Sequence, residues 1–282
     1  MVKSFRPTNL SEALDIRMNN DVMIFCGGSD IMIKYRSWSA TPAQLPNDVM
    51  YIGHLKELRS LDVNPSEIII GAAVSFDQFL HDERIASMYK KPIEQIGSVA
   101  IRNIGTFAGN ICHASPAGDT LPMLYALNAK VVLMSKSCKR VVAIEDFISG
   151  PGMTCLKNDE ILTHIIIPNT VFSHSFYRKV GSRKANAISK VSVFAVADVV
   201  EHRLADIRIA VGSCGPTVIR LKDAEARIIG SNIPESQQMV NSVLRMFDDK
   251  IVPIDDVRST KAYRSNVALN LIETFLAKEL GQ

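Results

Sequence analysis

The sequence lacks a strong excess of either charge. Its 282 residues carry 32 lysines and arginines against 29 aspartates and glutamates, and no block of like charge occurs. Nucleic acids and anionic membranes attract proteins through such blocks, so neither is predicted as a partner. No run approaches the roughly 18 apolar residues of a membrane span, and the first twenty residues lack the apolar core of a signal peptide. These absences predict a soluble, cytoplasmic protein.

Closely spaced cysteines are also missing. The five cysteines are Cys26, Cys112, Cys138, Cys155 and Cys214. None forms a C-x-x-C pair, so neither a disulfide framework nor a local zinc or iron–sulfur site is expected. His113 follows Cys112, but one such pair lacks the several convergent ligands that a metal needs. No metal site is predicted in this chain.

Two common nucleotide-binding motifs are absent. No G-x-G-x-x-G follows an apolar run, and no G-x-x-x-x-G-K-[ST] occurs. The Rossmann and P-loop folds are therefore disfavoured.

Short apolar runs alternate with helical patterns along the chain. The runs VMIFC, EIIIGAA, KVVLM and ILTHIIIP predict strands, whereas SFDQFLHDERIASMYKK has helical periodicity. After Pro168 and Asn169 the pattern changes to longer alternating strands followed by helices, the last of them capped by Ser259. The class is mixed α and β, and we place a domain boundary near residue 170.

The stretch MIFCGGSDIMIKYR sets two glycines at the end of a predicted strand. Gly27 and Gly28 form the turn, and Ser29 or Asp30 caps a short helical turn. Several backbone N–H groups would then point at one place, where glycine lets a phosphate or pyrophosphate approach closely. An ordinary strand-to-helix turn has the same pattern, so the two glycines alone do not establish a phosphate-binding site.

A second segment, residues 96 to 133, is rich in glycine and small polar residues. Gly105 and Gly109 permit close backbone approach, and Thr106 and Asn110 supply donors for phosphate or ribityl oxygens. Asp119 can accept hydrogen bonds from hydroxyl groups. The alternative is a long surface loop, although the segment runs into TLPMLYAL, a predicted buried helix, and loops of this length are often functional.

Several ordered motifs together resemble one family. FCGGSDIMIKYR, IRNIGTFAGNICHASPAGDTLPMLYALNAKVVL, DFISGPGMTCLKNDEILTHIIIP and YRKVGSRKANAISKV are similar to the FAD-binding, or medium, subunit of the molybdenum hydroxylases, the xanthine dehydrogenase and carbon monoxide dehydrogenase type. The resemblance implies an α+β fold: a vanillyl-alcohol-oxidase-type (PCMH-type) FAD-binding domain at 1–170, with two α+β subdomains at about 1–55 and 56–170. A smaller α+β C-terminal domain would occupy 171–282.

The resemblance also implies the cofactor-binding residues. The first FAD loop matches Phe25, Cys26, Gly27, Gly28, Ser29, Asp30 and Ile31, and the second matches Gly105, Thr106, Phe107, Ala108, Gly109 and Asn110. Asp119 matches the acidic residue near the ribityl chain, and Ile161 or Leu162 and Lys179 match further flavin contacts. Two residues depart from the family pattern: Ala108 replaces a glycine, and Ala100 replaces a glutamine.

The function implied is electron transfer without a catalytic acid or base in this chain. FAD would receive electrons from [2Fe–2S] clusters on a small partner subunit, fed by a molybdenum cofactor on a large one, and pass them to NAD⁺ or another acceptor. A dimer of heterotrimers acting on a purine such as xanthine is the first expectation. Two alternatives stay open: a self-sufficient flavin oxidoreductase, and a cofactor-free scaffold if Ala108 blocks the dinucleotide.

Overall fold

The computed structural model describes residues 2–233 and 237–280. The strands are β1 (Ser4–Phe5), β2 (Val22–Phe25), β3 (Asp48–Tyr51), β4 (Leu61–Val63), β5 (Glu67–Gly71), β6 (Lys130–Met134), β7 (Lys139–Ala143), β8 (Ile148–Gly150), β9 (Met153–Thr154), β10 (Ile161–Pro168), β11 (His174–Val180), β12 (Val191–Val200), β13 (Arg203–Gly212) and β14 (Ile219–Arg220). The helices are α1 (Leu10–Asn19), α2 (Ile31–Lys34), α3 (Phe76–His81), α4 (Ser87–Glu94), α5 (Val99–Ile104), α6 (Phe107–His113), α7 (Leu121–Ala126), α8 (Ile144–Phe147), α9 (Lys222–Ile228), α10 (Gln237–Asp248) and α11 (Lys261–Thr274). A 3₁₀ turn covers Lys56–Leu58, and Phe275–Glu279 is π-helical.

The chain forms two compact units. Unit 1 comprises residues 1–85, 98–114 and 129–169, and unit 2 comprises 86–97, 115–128 and 170–282. Two segments of the predicted N-terminal domain therefore pack with residues that follow 170. The domain division at residue 170 and the subdomain division near residue 55 stay predictions.

Unit 1 contains a parallel sheet and an antiparallel sheet. In the parallel sheet the order is β1-β3-β2, with Phe5 opposite Met50 and Phe25 opposite Tyr51. Parallel strands need a connection that returns the chain to the starting edge of the sheet, and α1 provides it between β1 and β2. Asn9 caps α1 by accepting a hydrogen bond from the Glu12 N–H. All three strands end at the same edge of the sheet.

The antiparallel sheet has the order β4-β5-β10-β6-β7, with β10 at its centre. Most of the predicted run ILTHIIIP is buried, including Ile161, Leu162, Ile165 and Ile167. The pairing of β10 with β6 shifts at Thr163, whose carbonyl instead accepts from the Ala72 N–H. An irregularity of this kind re-aims neighbouring residues and often marks the end of regular pairing.

Unit 2 is built on the antiparallel sheet β11-β12-β13-β14. Its core includes Phe176, Ile207, Phe247, Ile272 and Phe275, contributed by strands and by the C-terminal helices. Helices and strands thus occur in both units, and the predicted mixed α and β class is confirmed.

Two local predictions from the sequence were wrong in detail. The helical pattern at 75–91 is split into α3 and α4, because Asp82 takes an extended conformation. The last helix is capped by Thr260, which accepts from the Tyr263 N–H, while Ser259 donates its backbone N–H to Asp256. Within 2–233 and 237–280, no helix is both long and apolar enough to cross a membrane.

Candidate functional site

The first glycine loop follows β2 and leaves no room for side chains. A Cβ on Gly27 would lie 1.7 Å from the carbonyl oxygen of Ile104, a backbone atom that cannot move aside alone. Gly28 has φ +74°, and a Cβ there would lie 2.2 Å from the ring of Phe25. Only glycine adopts that conformation without strain, so both positions require it here.

This loop presents a row of backbone N–H groups. The Met32 N–H donates to the carbonyl of Gly28 at 3.0 Å. Within the described part of the chain, the N–H groups of Gly28, Ser29, Asp30 and Ile31 make no hydrogen bond. Asp30 occupies the N-cap position of α2, one of the two positions predicted, but its side chain makes no capping hydrogen bond. The four donors therefore stay available to a ligand.

The second loop joins α5 to α6 in the same unit. Thr106 caps α6 by accepting from the Gly109 N–H at 3.0 Å. A Cβ on Gly105 would lie 3.0 Å from the Ile101 carbonyl oxygen and 3.1 Å from the Phe76 ring. A side chain at Gly105 would therefore be tightly crowded.

The two departures from the family pattern lie in different surroundings. Ala108 is buried, 7% exposed, and follows Phe107, whose ring packs on those of Phe76 and Phe79 with centroids 5.2 and 4.9 Å apart. Its methyl group therefore lies in the interior of unit 1. Ala100 is exposed on α5.

A cavity of about 870 Å³ in unit 1 adjoins both loops. It is lined by Ser4, Arg6, Phe25, Cys26, Gly27, Tyr51, Gly53, His54, Arg59, Ala73, Ser75, Asp77, Gln78, Asn103, Ile104 and Thr106. The predicted residues Phe25, Cys26, Gly27 and Thr106 are thus brought together. Arg6, His54 and Arg59 were missed by sequence reasoning, because each belongs to a separate segment with no glycine motif to mark it.

The cavity lies where the three parallel strands end. Arg6 follows β1, Cys26 and Gly27 follow β2, and Gly53 and His54 follow β3. Ligands of open sheets with parallel strands bind at this carboxyl edge, since the loops that leave it supply backbone groups and side chains. The fold thus gathers residues from three separate segments, and the pairing of β1 with β3 joins residues 45 positions apart.

Cys26 is the thiol in this cavity. Burial raises its pKa, while a hydrogen bond with Thr106 and the charge of Arg59 oppose the shift. A thiol with a raised pKa stays protonated at neutral pH and is a poor nucleophile. Cys26 therefore lines the cavity as a small neutral side chain.

Asp119 and Lys179 form a buried ion pair in unit 2. Lys179 Nζ lies 2.7 Å from Asp119 Oδ2 and also donates to the carbonyl of Gln95 at 2.9 Å. Ser189 Oγ donates to Asp119 Oδ1 at 2.6 Å. Burial raises the pKa of Asp119, against the opposing effects of Lys179 and Ser189. Both carboxylate oxygens are engaged, although each retains a second lone pair.

A buried hydroxyl lies in the same unit as this pair. Tyr177 Oη has no hydrogen-bond partner among the described residues. Burial raises the pKa of Tyr177 well above its usual value, and the negative charge of Asp119 adds to the shift. The Tyr177 hydroxyl therefore stays protonated near neutral pH.

The remaining predicted residues do not line the cavity. Ile161 and Leu162 are 0% and 3% exposed inside the antiparallel sheet. Ser29, Asp30 and Ile31 continue the first loop, and Gly109 and Asn110 belong to α6. Among residues 2–233 and 237–280, no group of three or more His, Cys, Asp and Glu side chains could hold a metal ion.

Comparison with known proteins identifies the class. Residues 1–170 match the model of the FAD binding domain in molybdopterin dehydrogenase, and residues 176–278 match that of the CO dehydrogenase flavoprotein C-terminal domain. The chain is 30% identical to the nicotinate dehydrogenase FAD-subunit of Eubacterium barkeri, covering 99% of this chain and 96% of that protein. It is 26% identical to the xanthine dehydrogenase FAD-binding subunit of Escherichia coli O157:H7, covering 98% and 94%.

The fold matches a solved structure over the whole chain. Reconstituted CO dehydrogenase from Oligotropha carboxidovorans superposes with a TM-score of 0.90 at 18% identity, covering 100% of this chain and 97% of that one. The protein therefore belongs to the family of FAD-binding medium subunits of the molybdenum hydroxylases. It is a flavoprotein subunit of an oxidoreductase, as the resemblance predicted.

The residues of unit 1 fit the diphosphate of FAD. That group carries two negative charges and needs donors at close range, which the unbonded N–H groups after Gly27 supply. The places that side chains would fill at Gly27 and Gly28 are occupied by the Ile104 carbonyl oxygen and the Phe25 ring, so this part of the loop consists of bare backbone. Two arginines line the adjoining cavity and add positive charge.

Proposed function

We propose that this chain holds FAD by its diphosphate at the two glycine loops and relays electrons from a partner subunit to an acceptor. The observation that carries the proposal is the row of unbonded N–H groups that begins at Gly28, where φ is +74°. The close fit of Gly27 against the Ile104 carbonyl also places this loop beside the start of the second loop.

The second loop supports the same ligand. Thr106 fixes the start of α6, so the backbone from Gly105 to Gly109 is held in one conformation before any ligand arrives. Such preorganisation lowers the entropy lost on binding. Phe107 anchors the loop from the inside, and Ala108 points its methyl group to the same interior, which argues against the cofactor-free scaffold.

Three further cofactor contacts are proposed from the resemblance. Asp119 would accept from a ribityl or neighbouring hydroxyl with its remaining lone pairs, and Lys179 would contact the flavin. Because Asp119 and Lys179 form an ion pair, a ligand that contacts one of them also interacts electrostatically with the other. Ile161 or Leu162 would supply a further contact beside the shifted pairing at Thr163.

Electron relay is proposed from the chemistry of FAD and the nature of the relatives. When bound, FAD accepts electrons singly or in pairs, so it can connect one-electron [2Fe–2S] clusters with a two-electron acceptor such as NAD⁺. The chain's own residues bind, orient and shield that group, and we assign no catalytic acid or base. The competing self-sufficient flavin oxidoreductase would need an acid–base set of its own.

The partners follow from the same reasoning. We propose a large subunit with the molybdenum cofactor, a small subunit with [2Fe–2S] clusters, and a dimer of heterotrimers in the cytoplasm. The substrate would bind the large subunit, so the residues of this chain do not select it. Relatives carry names of nicotinate and xanthine enzymes, and a purine substrate stays our first expectation.

Absorbance of the purified chain tests the proposal. A flavin spectrum that is bleached by NADH, with no oxidation of xanthine, hypoxanthine or nicotinate by the chain alone, is expected. A folded chain that takes up no flavin would contradict FAD binding. Turnover of an organic substrate by the isolated chain would contradict the relay and favour the self-sufficient enzyme.

A further inference from the structure

Two exposed arginines line the unit 1 cavity and have no side-chain partner among the described residues. Arg6 and Arg59 both line it, and neither side chain makes an ion pair or hydrogen bond within 2–233 and 237–280. Other arginines of the same unit are neutralised: Arg84 lies 2.6 Å from Asp82, and Arg140 lies 2.6 Å from Glu160. Unlike Arg84 and Arg140, the two cavity arginines therefore have no carboxylate within ion-pair distance among the described residues.

The other ionisable groups of the cavity do not cancel this charge. Asp77 is the carboxylate of the lining, and its Oδ2 lies 3.4 Å from His81 Nδ1. His54 Nε2 lies 2.7 Å from the carbonyl of Pro7, so that nitrogen carries the hydrogen and donates it. Two arginines against one aspartate leave an excess of positive charge in the lining.

The parallel sheet fixes where these charges lie relative to the first loop. Arg6 follows β1 on one edge of the sheet, and the first loop follows β2 on the other. Neighbouring strands are about 4.8 Å apart, so the two strand ends are separated by about 10 Å. Arg59 follows the 3₁₀ turn that leaves β3, the strand between them, and its charge acts on the Cys26 thiol of the loop. Both arginines thus follow strands that lie on the same side of the loop, toward β3 and β1.

We propose that Arg6 and Arg59 are the cationic half of the diphosphate site, facing the N–H row of the first loop. This assignment rests on the proposed function, because it names the side chains that meet the FAD diphosphate. Backbone N–H groups supply dipoles but no net charge, whereas a guanidinium forms paired, charge-assisted hydrogen bonds with phosphate oxygens. The two arginines therefore set the preference of this chain for a diphosphate over an uncharged flavin.

Equilibrium binding to the flavin-free chain tests the assignment. The probes are FAD, ADP and riboflavin, which separate the diphosphate from the isoalloxazine ring, and the variants are Arg6→Gln, Arg59→Gln and the double variant. Each single change should weaken FAD and ADP about tenfold, the usual effect of one charge-assisted hydrogen bond, and riboflavin less than about twofold. Raising salt from about 50 to about 300 mM should weaken FAD binding more in the parent than in the double variant.

Two variants serve as controls. Lys56→Gln removes the same charge three residues from Arg59, on an exposed side chain outside the cavity lining, and should change no affinity by more than about twofold. Arg59→Lys keeps the charge without the paired geometry and should recover part of the lost affinity. Thermal unfolding of each variant confirms that the fold is intact.

The outcomes separate this assignment from the proposed function. Parent-like FAD and ADP affinities in the double variant would overturn the assignment while leaving FAD binding in place. An equal loss for riboflavin and FAD would also overturn it, because the arginines would then shape the loop rather than contact phosphate. A parent chain that binds no FAD would defeat the proposed function, and ADP affinity across the variants would still decide the role of the arginines.

Discussion

Replacement of Gly28 tests the first loop most sharply. Its φ of +74° costs an alanine about 1–2 kcal/mol, because a Cβ crowds the backbone in the left-handed region. The new Cβ would also lie 2.2 Å from the ring of Phe25, which must leave its rotamer at a further cost of about 1 kcal/mol. If the loop changes conformation to relieve this strain, its backbone N–H groups no longer lie where they could bind the diphosphate.

The expected loss of FAD affinity follows from that sum. A penalty of about 2–3 kcal/mol corresponds to a dissociation constant for FAD that is about 30- to 150-fold larger in Gly28→Ala. Gly28→Val should abolish retention of FAD, since a branched side chain resists positive φ more strongly and collides more severely with the Phe25 ring. Titration of the flavin-free chain, followed by flavin fluorescence, measures both variants.

Gly152 provides the matched control. Its φ is +69°, but a Cβ there would meet nothing within 4 Å. Gly152→Ala should therefore carry the backbone cost alone, lowering stability by about 1–2 kcal/mol without changing FAD affinity. Flavin content in Gly28→Val equal to that of the parent would remove this loop from the binding site and refute the reasoning.

Three further predictions concern stability and affinity. Asp119→Ala should lower stability by about 3 kcal/mol in urea unfolding, because it leaves Lys179, 5% exposed, as an unpaired charge; an unchanged midpoint would contradict this. The same variant should weaken FAD binding by about 1–3 kcal/mol, and an unchanged dissociation constant would limit Asp119 to a structural role. Hydrogen bonds from Arg140 lower the pKa of Glu160, so its contribution is present above the unfolded-state value of about 4.3 and is lost as pH falls through the lower folded value. The stability difference between the parent and Glu160→Gln should then shrink from about pH 5 to pH 3; a constant difference would refute it.

Much of the local structure was predictable because its signals are local. The apolar run before Gly27 predicts a strand end, and β2 indeed ends at Phe25, with Gly28 at positive φ directly after it. The run TLPMLYAL predicts a buried helix, and every residue of α7 is buried. Such features depend on neighbours within a few positions, where steric rules and hydrophobic periodicity are strong.

The composition of the cavity was not predictable in the same way. Arg6, His54 and Arg59 meet because three parallel strands end together, and the pairing of β1 with β3 joins residues 45 positions apart. The partners of Asp119 were equally hidden, since Lys179 and Ser189 are 60 and 70 residues away. Charged residues have no periodicity that marks such convergence, so sheet topology must be known first.

The central claim is that FAD in this chain is the exit for electrons, and rapid-mixing absorbance on the reconstituted complex tests it most directly. Complexes of the molybdenum and [2Fe–2S] subunits with either the parent chain or Gly28→Val are mixed with substrate and NAD⁺, and cluster bleaching and NADH formation are followed together. We predict that both complexes bleach their clusters, whereas only the parent forms NADH. Clusters that stay oxidised when FAD alone is missing, or NADH formed at the parental rate without it, would contradict the assigned order of electron flow.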